Sequence, residues 1–564
     1  MIQQLEVDGV PALLSPTTGP THAGLAFRVG FADEPLTRRG ITHLVEHLAL
    51  HHVGVADYHY NGATGVENTF FHMQGEADDI ARFLTGVCAA LHDLPMHRLA
   101  TEKDLLQAEA NGRSSGPAED MGLWRHGARD YGMTSYPEWG LPAITADDLR
   151  AWVARYFTRD NAVLWVAGDG IPPGLRLNLP GGARQPAPKP SSTLPVTPAY
   201  YAGSSGVLVW DTLVPRAARS SVFAGVLERT MFRELRQESG LSYTAQTTYE
   251  PVGADLAMIT AVADSLPDKQ VAVLGAFADV LAALRVGRID EADVATIVKQ
   301  RSEATRHAED QGARLPGQAL NLLSGRSVQN VDEVVAELRA VGVAEVAEVA
   351  AQACGAGLLM TPRARADWAG FTEAPNTSDA AVAGTAYASL ERPEDKFVIG
   401  PEGVSLIRGD DIATVRFDAC SIVRAWPDGA RHFVGHDGIM VVLEPSLFAG
   451  AHGALSWLDA RIPQALWVGH PARDPSDIPQ PETPMPAAQQ QPSASGGKAL
   501  GVLGLIVLIP VTLFLIGFAA LLLIAIISDG EEVAGFTILI VILLTLAAGG
   551  GIGIHRSARR VYRN

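Results

Sequence analysis

Two histidines and a glutamate near the N-terminus, His43, Glu46 and His47, form the pattern H-x-x-E-H. If residues 41–50 are helical, the two imidazoles lie one turn apart on the same helix face. Neutral imidazoles at this spacing can bind one zinc ion, and the carboxylate beside them can take a proton from a water that the metal activates. The pattern, the reverse of the commoner H-E-x-x-H order, therefore predicts peptide-bond hydrolysis. The alternative is a helix with two surface histidines and an ordinary glutamate.

A hydrolytic zinc site needs a third protein ligand and an open position for water. A helix-like stretch over residues 96–111 contains two candidates, Glu102 and Glu109, which are seven residues apart and share a helix face. Either carboxylate can be the third ligand while the other orients a histidine. The alternative is that both are solvated glutamates on a helix surface.

Three segments resemble the pitrilysin/insulinase family of zinc metallopeptidases. Residues 24–47 resemble its apolar strand and zinc motif, 61–71 its Asn-Ala-x-Thr strand, and 101–109 the helix that carries its third ligand. The resemblance implies that the zinc site is completed by the later of the two glutamates.

Carried over residue by residue, the resemblance implies the following roles: Zn²⁺ ligands His43, His47 and Glu109, general base Glu46, supporting carboxylate Glu102, and Asn61 on an edge strand that binds extended peptide. Glu109 follows His47 by 62 positions, roughly a dozen fewer than is usual around this motif. Most of the shortening falls between His47 and Asn61.

A similar pattern starts again near residue 206, with an apolar strand and a helix over about 217–238. Arg236 and Tyr243 then stand in the pattern Arg-x-x-x-Gly-Leu-x-Tyr, which resembles the second domain of the same family. In that reading Arg236 holds a peptide carbonyl or carboxylate, and Tyr243 hydrogen-bonds the developing oxyanion. The alternative is a cation at a helix C-terminus and a half-buried strand residue.

The resemblance covers residues 1–362 and implies an α+β fold of two related domains, each an antiparallel-rich sheet covered by helices. In the family, a complete proteolytic chamber needs four such domains in two halves. Because this chain carries two, the resemblance implies a homodimer, or a heterodimer with a related chain.

The C-terminal region differs in kind. Residues 499–527 and 533–554 contain no charged side chain, and each run is long enough to span a bilayer. The loop between them carries three acids, whereas the tail 555–564 carries four arginines. The positive-inside rule therefore predicts a transmembrane hairpin in the cell membrane, with the tail and the soluble domains in the cytoplasm. Three widely spaced cysteines and an N-terminus without a signal-peptide pattern agree with that prediction.

Between these regions, residues 396–468 alternate in six short apolar runs, and a helix-like stretch over 445–461 follows the last run. The pattern predicts a small, mostly-β, barrel-like domain, loosely like a pleckstrin-homology fold. The predicted organisation is domain 1–170, linker 171–200, domain 201–362, linker 363–395, domain 396–468, disordered linker 469–498, spans 499–527 and 533–554, and basic tail 555–564.

The sequence thus predicts a membrane-anchored zinc endopeptidase that hydrolyses short or unfolded peptides. The net charge of −18 argues against nucleic acid as a partner. Two alternatives stay open: a non-catalytic clamshell that binds peptide or pairs with an active partner, and a membrane adaptor whose function lies in residues 396–468.

Overall fold

The first domain is a sheet with helices on one face. The computed structural model describes residues 2–51, 59–112, 116, 118–203 and 206–481. The strands of this domain are β1 (Gln3–Val7), β2 (Val10–Ser15), β3 (Thr21–Phe27), β4 (Tyr60–Thr64), β5 (Thr69–Gly75) and β6 (Ala162–Ala167). Its helices are α1 (Ile41–Leu50), α2 (Ala77–His92), α3 (Leu99–Gly112), α4 (Glu119–His126) and α5 (Ala146–Tyr156).

The six strands lie in the order β1-β2-β6-β3-β5-β4, which leaves β4 at one edge. All neighbours pair antiparallel except β2 and β6, which run parallel. Alternate residues of β5 are buried under the helices, because successive strand side chains point to opposite faces. Helix α5 is capped by Thr145, whose Oγ1 accepts from the backbone N–H of Asp148 at 3.1 Å.

The second domain repeats this arrangement. Its strands are β7 (Ala199–Gly203), β8 (Val207–Pro215), β9 (Ala245–Val252), β10 (Leu256–Asp264), β11 (Leu358–Pro362) and β12 (Thr372–Glu373). Its helices are α6 (Ala218–Met231), α7 (Gln270–Arg285), α8 (Glu291–Asp310), α9 (Leu315–Leu323), α10 (Val331–Arg339) and α11 (Val343–Gly355).

The two sheets share one topology. The order β7-β11-β8-β10-β9 matches β2-β6-β3-β5-β4, including the single parallel pair at its start. Helix α6 of the second domain occupies the place that α1 has in the first, between the third strand of that series and the edge strand. The predicted mixed α+β fold with several sheets is therefore confirmed.

A buried ion pair joins the two domains. Arg125 of α4 donates through Nε to Asp211 Oδ1 of β8 at 2.8 Å, and both residues are 4% exposed. Arg125 Nη1 also donates to the carbonyl of Ala356 at 3.2 Å. Helix α9 also packs on the outer face of the first sheet, against Trp165 and Leu13. The two domains thus share both a charged contact and an apolar one.

Two four-stranded sheets follow and share one core. Their elements are β13 (Thr385–Ala388), β14 (Lys396–Ile399), β15 (Gly403–Arg408), β16 (Asp411–Arg416), β17 (Cys420–Ala425), β18 (Arg431–Gly435), β19 (Met440–Leu443), β20 (Trp467–Gly469) and α12 (Leu455–Asp459). Each of the six apolar runs predicted from the sequence is a strand. The sheets have the orders β13-β14-β15-β16 and β19-β18-β17-β20.

Two details differ from the sequence expectations. The helix expected over 445–461 is broken into short turns before α12, because Gly450 adopts a left-handed φ of 77° that interrupts a right-handed helix. The stretch 363–395, expected to be a linker, supplies β12 and β13 to neighbouring sheets, where their backbone groups find partners.

The predicted hairpin and tail, 499–527, 533–554 and 555–564, lie outside the described residues. Within the part of the chain that the structure describes, no helix combines the length and apolarity needed to cross a bilayer.

Candidate metal centre

Helix α1 carries the H-x-x-E-H residues and is buried along most of its length. It begins after Gly40, whose φ of 102° is left-handed. The buried carboxylate of Glu34 accepts from the backbone N–H groups of Gly40 and Thr42, each at 2.9 Å, and pairs with Arg39. An acid at this end satisfies the free N–H groups of the first turn and fixes where the helix starts.

His43, His47 and Glu109 bring three potential ligand atoms within 4.8 Å of one another. Nε2 of His43 lies 3.8 Å from one carboxylate oxygen of Glu109, and Nε2 of His47 lies 3.5 Å from the other. Glu109 reaches the site from α3 with a side chain that is 46% exposed, whereas His43 is buried. The one-turn spacing on α1 and the position of Glu109 on α3 together form this cluster.

Each histidine has a carboxylate on its other ring nitrogen. Nδ1 of His43 lies 2.7 Å from Glu138 Oε1, and Nδ1 of His47 lies 3.4 Å from Glu102 Oε2. A carboxylate accepts hydrogen bonds, which places the proton on Nδ1 and the lone pair on the Nε2 that faces Glu109. Glu102 is itself held by Arg98 at 3.0 Å. Paired carboxylates of this kind fix the tautomer of metal-binding histidines.

Glu46 lies in a confined position beside the cluster. It is 6% exposed and accepts from Thr64 Oγ1 at 2.6 Å. Burial raises the pKa of Glu46, while the hydrogen bond from Thr64 and the two neighbouring histidines act against that rise. Gly62 packs directly on this side chain, because a Cβ there would stand 2.8 Å from Glu46 Cγ. Glu46 is therefore confined beside His43, His47 and Glu109.

Asn61 lies on β4, at the edge of the first sheet, and is exposed. Its strand neighbours on the same hairpin are Gly62 and Thr64, which both contact Glu46. The outer side of an edge strand carries unpaired backbone N–H and C=O groups that can pair with an extended peptide. Strand β4 thus offers a potential peptide-binding edge and also contacts the carboxylate of Glu46.

Arg236 and Tyr243 lie together in the second domain, and neither belongs to the ligand cluster. Arg236 sits in a π-helix, Phe232–Glu238, that continues α6, and its guanidinium lies 4.6 Å from the centre of the Tyr243 ring. Tyr243 is 75% exposed and is not the half-buried strand residue of the alternative reading. The pair forms a cation–π contact on the surface of this domain.

The structure thus gathers His43, Glu46, His47, Glu102 and Glu109 in one place, with Asn61 on the adjoining strand. Sequence reasoning missed Glu138, Thr64 and Gly62. Thr64 and Gly62 belong to a segment already singled out, so their contact with α1 could have been suspected. Glu138 lies in a loop, and no spacing signal in the sequence connects it to His43.

The donor set fits zinc. Two imidazole nitrogens and one carboxylate are the ligands of a catalytic zinc site, which keeps a further position open. Two ligands on one tetrahedral zinc stand roughly 3.3 Å apart, close to the 3.5 and 3.8 Å between Glu109 and the two Nε2 atoms. His43, His47 and Glu109 would hold the ion.

Solved structures share this fold. A protease from Helicobacter pylori matches with a TM-score of 0.54 and 15% identity, covering 64% of this chain and 98% of its own. A peptidase M16 inactive domain from Pseudomonas fluorescens matches at 0.54 and 13%, covering 64% and 97%. The periplasmic protease PqqL from Escherichia coli matches at 0.53 and 10%, covering 77% of this chain and 55% of its own.

No family model matches the sequence, and no curated protein is similar to it in sequence. At identities of 15% and below, the structural likeness shows the fold alone. That fold is the one of M16 peptidases, active and inactive, and it confirms the resemblance to pitrilysin and insulinase at the level of the fold.

Proposed function

We propose that this chain is a zinc-dependent endopeptidase acting on short or unfolded peptides. The observation that carries the proposal is the convergence of His43, His47 and Glu109 within 4.8 Å, with each histidine held from behind by a carboxylate. If Glu109 only formed an ion pair that stabilises the fold, one histidine would be enough, yet the Nε2 atoms of both His43 and His47 face its carboxylate. The shared fold of proteases supports the same conclusion.

When bound, Zn²⁺ would supply a Lewis acid that polarises the peptide carbonyl and acidifies water. Glu46 would take the proton from the attacking water and pass it to the leaving amine. The hydrogen bond from Thr64 keeps one carboxylate oxygen of Glu46 in place and leaves the other as the acceptor. Strand β4, with Asn61, would hold the peptide in an extended form by backbone pairing.

The second domain would act on the substrate from the other side. Arg236 and Tyr243 are exposed or half-exposed polar groups fixed against each other, and such a pair can donate to a peptide carbonyl. In this proposal, Arg236 and Tyr243 contact the peptide that is bound at the metal centre, either of the same molecule or of its dimer partner. A dimer partner, another copy or a related chain, would complete the chamber that two domains leave half built.

The C-terminal runs 499–527 and 533–554 would anchor the enzyme in the cell membrane, with its catalytic domains in the cytoplasm. A tethered peptidase of this kind would act on cytoplasmic peptides near the membrane. This part of the proposal rests on charge and hydropathy in the sequence.

Metal content tests the centre directly. The full chain should contain about one zinc per molecule, and His47→Ala should lose it. His51→Ala is the matched control, because His51 follows α1 by one residue and is exposed. Stoichiometric zinc in the His47→Ala protein would remove this residue from the ligand set.

Glu46→Gln tests catalysis separately from binding. The amide keeps the shape of Glu46 but cannot accept a proton, so zinc and fold should remain while cleavage of a mixed peptide library stops. Equal cleavage by both proteins would defeat the enzyme proposal.

A second candidate is a non-catalytic clamshell. The observation that favours it is the equally good match to an inactive domain from Pseudomonas fluorescens. It predicts that the zinc-loaded wild-type chain binds library peptides but cleaves none. The same library experiment therefore separates the two candidates.

A further inference from the structure

Four arginines line a cavity of about 590 Å³ in the second domain. Arg216 directly follows β8, Arg301 lies on α8, and Arg326 follows α9. Burial raises the pKa of Tyr249, another lining residue, and all three guanidinium groups act against that rise. The three positive charges therefore converge on one place, called here the arginine pocket.

These arginines form no direct ion pair with a carboxylate among the described residues. An ion pair requires a nitrogen–oxygen distance of 4.0 Å or less, and no described carboxylate comes that close to Arg216, Arg301 or Arg326. A fourth lining arginine, Arg314, shows the contrast, because its Nη1 lies 2.6 Å from Glu309 Oε2. The single carboxylate in the described lining, Glu337, is exposed. Glu228 acts to raise the pKa of Arg301, and Glu67 that of Arg216, but from beyond ion-pair distance. A cluster of arginines without direct ion pairs is unexpected in a chain with a net charge of −18.

Structural hydrogen bonds account for only part of the cluster. Arg216 donates to the carbonyl of Gly253 at 3.2 Å, and Arg326 donates to the carbonyl of Ala254 at 2.7 Å, so both brace the turn between β9 and β10. Arg301 has no such role, because its Nε is buried without a hydrogen-bond partner among the described residues. Burial lowers the pKa of Arg216 and of Arg301, which reflects the cost of holding these charges away from water.

An anion would offset that cost. Guanidinium groups match oxyanions with paired, charge-assisted hydrogen bonds. Three converging positive charges favour a doubly charged phosphate group over a singly charged carboxylate. Tyr249, Pro251, Val334 and Leu338 supply apolar walls beside the cations. The volume lies in the range of small-molecule pockets and leaves room for more than one phosphate group.

We propose that the arginine pocket binds a phosphorylated small molecule, with Arg301 as its principal phosphate contact. The pocket shares no lining residue with the metal centre. Binding there is therefore a property separate from peptide hydrolysis, and it can be tested whether or not the chain cleaves peptides.

Calorimetric titration of the full chain with pyrophosphate tests the proposal. We expect saturable binding of one pyrophosphate per chain and a loss of at least about tenfold in affinity in Arg301→Gln. Arg306→Gln is the matched control, because Arg306 lies on the same helix, outside the pocket, and faces Asp332. It should bind pyrophosphate as the wild type does.

Three results would overturn the proposal. If pyrophosphate does not bind saturably, the site does not exist. If Arg301→Gln and Arg306→Gln weaken binding equally, the binding is general charge attraction. If citrate binds as tightly as pyrophosphate, the pocket has no preference for phosphate. Thermal unfolding separates a binding role from a structural one. Because a buried unpaired charge costs stability, ligand-free Arg301→Gln should unfold at the wild-type temperature or above it. A lower unfolding temperature would make Arg301 a structural group.

Discussion

At the scale of single residues, the orientation of the two histidines in the candidate metal centre depends on the carboxylates beside their Nδ1 atoms. Glu102 and Glu138 both occupy that rear side, yet they come from a helix and from a loop. Glu102 is neutralised by Arg98, whereas Glu138 Oε2 is buried without a hydrogen-bond partner among the described residues. His43 is therefore the side chain that hydrogen-bonds the buried Glu138 carboxyl group.

Glu138→Gln should weaken zinc binding by about 10- to 100-fold while the fold persists, because a neutral amide oxygen accepts from His43 Nδ1–H more weakly than a carboxylate and fixes the tautomer less firmly. Competition with a chromogenic chelator measures the affinity. Glu333→Gln, at an exposed position on α10, is the control and should bind zinc normally. Glu109→Gln should weaken binding more than Glu102→Gln, and the reverse order would exchange the roles of these two residues.

Gly62→Ala tests the packing around Glu46. The added Cβ would lie 2.8 Å from Glu46 Cγ and 2.9 Å from Leu50 Cδ1, so the base or its strand must move. We expect kcat to fall by about tenfold or more, since misplacement by a fraction of an ångström is costly, with zinc content unchanged. Gly275→Ala on α7 has open space and should keep full activity. Normal turnover by Gly62→Ala would mean that Glu46 needs no such confinement.

Helical periodicity made most of this site predictable. It placed His43 and His47 on one face and paired Glu102 with Glu109, because a regular helix converts sequence spacing into geometry. Glu138 was not predictable in this way, because a loop has no period and its contact with His43 depends on tertiary packing.

At the scale of elements, the loop that carries Glu138 also contacts the pair of four-stranded sheets. Tyr136 packs in a cluster with Ile422, Val434 and Val468, and the guanidinium of Arg424 lies 4.3 Å from the ring centre of Trp139. Burial lowers the pKa of Arg424 to about 10. Strand β17 therefore packs against the loop that carries Glu138.

Trp139→Ala should lower zinc affinity by about three- to tenfold although Trp139 touches no ligand atom, because Glu138 loses its support. Trp139→Phe, which keeps a ring over Arg424, should restore most of the affinity. Trp368→Ala is the control, at a side chain that is 60% exposed. Unchanged zinc affinity with a lowered unfolding temperature would limit Trp139 to a packing role.

The strands of this sheet pair were visible in the sequence, since six apolar runs separated by turn residues each form a strand. Their support of Glu138 was not visible. A pattern of period two identifies which residues are buried within a sheet, but it carries no information about the loop that packs on the sheet from another domain.

At the scale of the whole molecule, the two domains repeat one strand order, but the described residues contain a single candidate metal cluster. Helices α1 and α6 take equivalent places, but only α1 carries the histidines, and α6 leads into the π-helix with Arg236. The resemblance in sequence was sufficient to predict the two domains.

The proposed membrane topology would decide which peptides reach the candidate metal centre. Two uncharged runs, an acidic loop and a tail with four arginines predict that the tail and the preceding domains share the cytoplasmic side. A reporter that works only in the cytoplasm should be active when it is fused after Asn564. A reporter that works only after export should be active when it is inserted at Gly530. Replacing the four tail arginines with glutamine removes the charge bias and serves as the control, since it should weaken this orientation. An exported reporter at Asn564 would place the metal centre outside the cytoplasm and change the substrate class to external peptides.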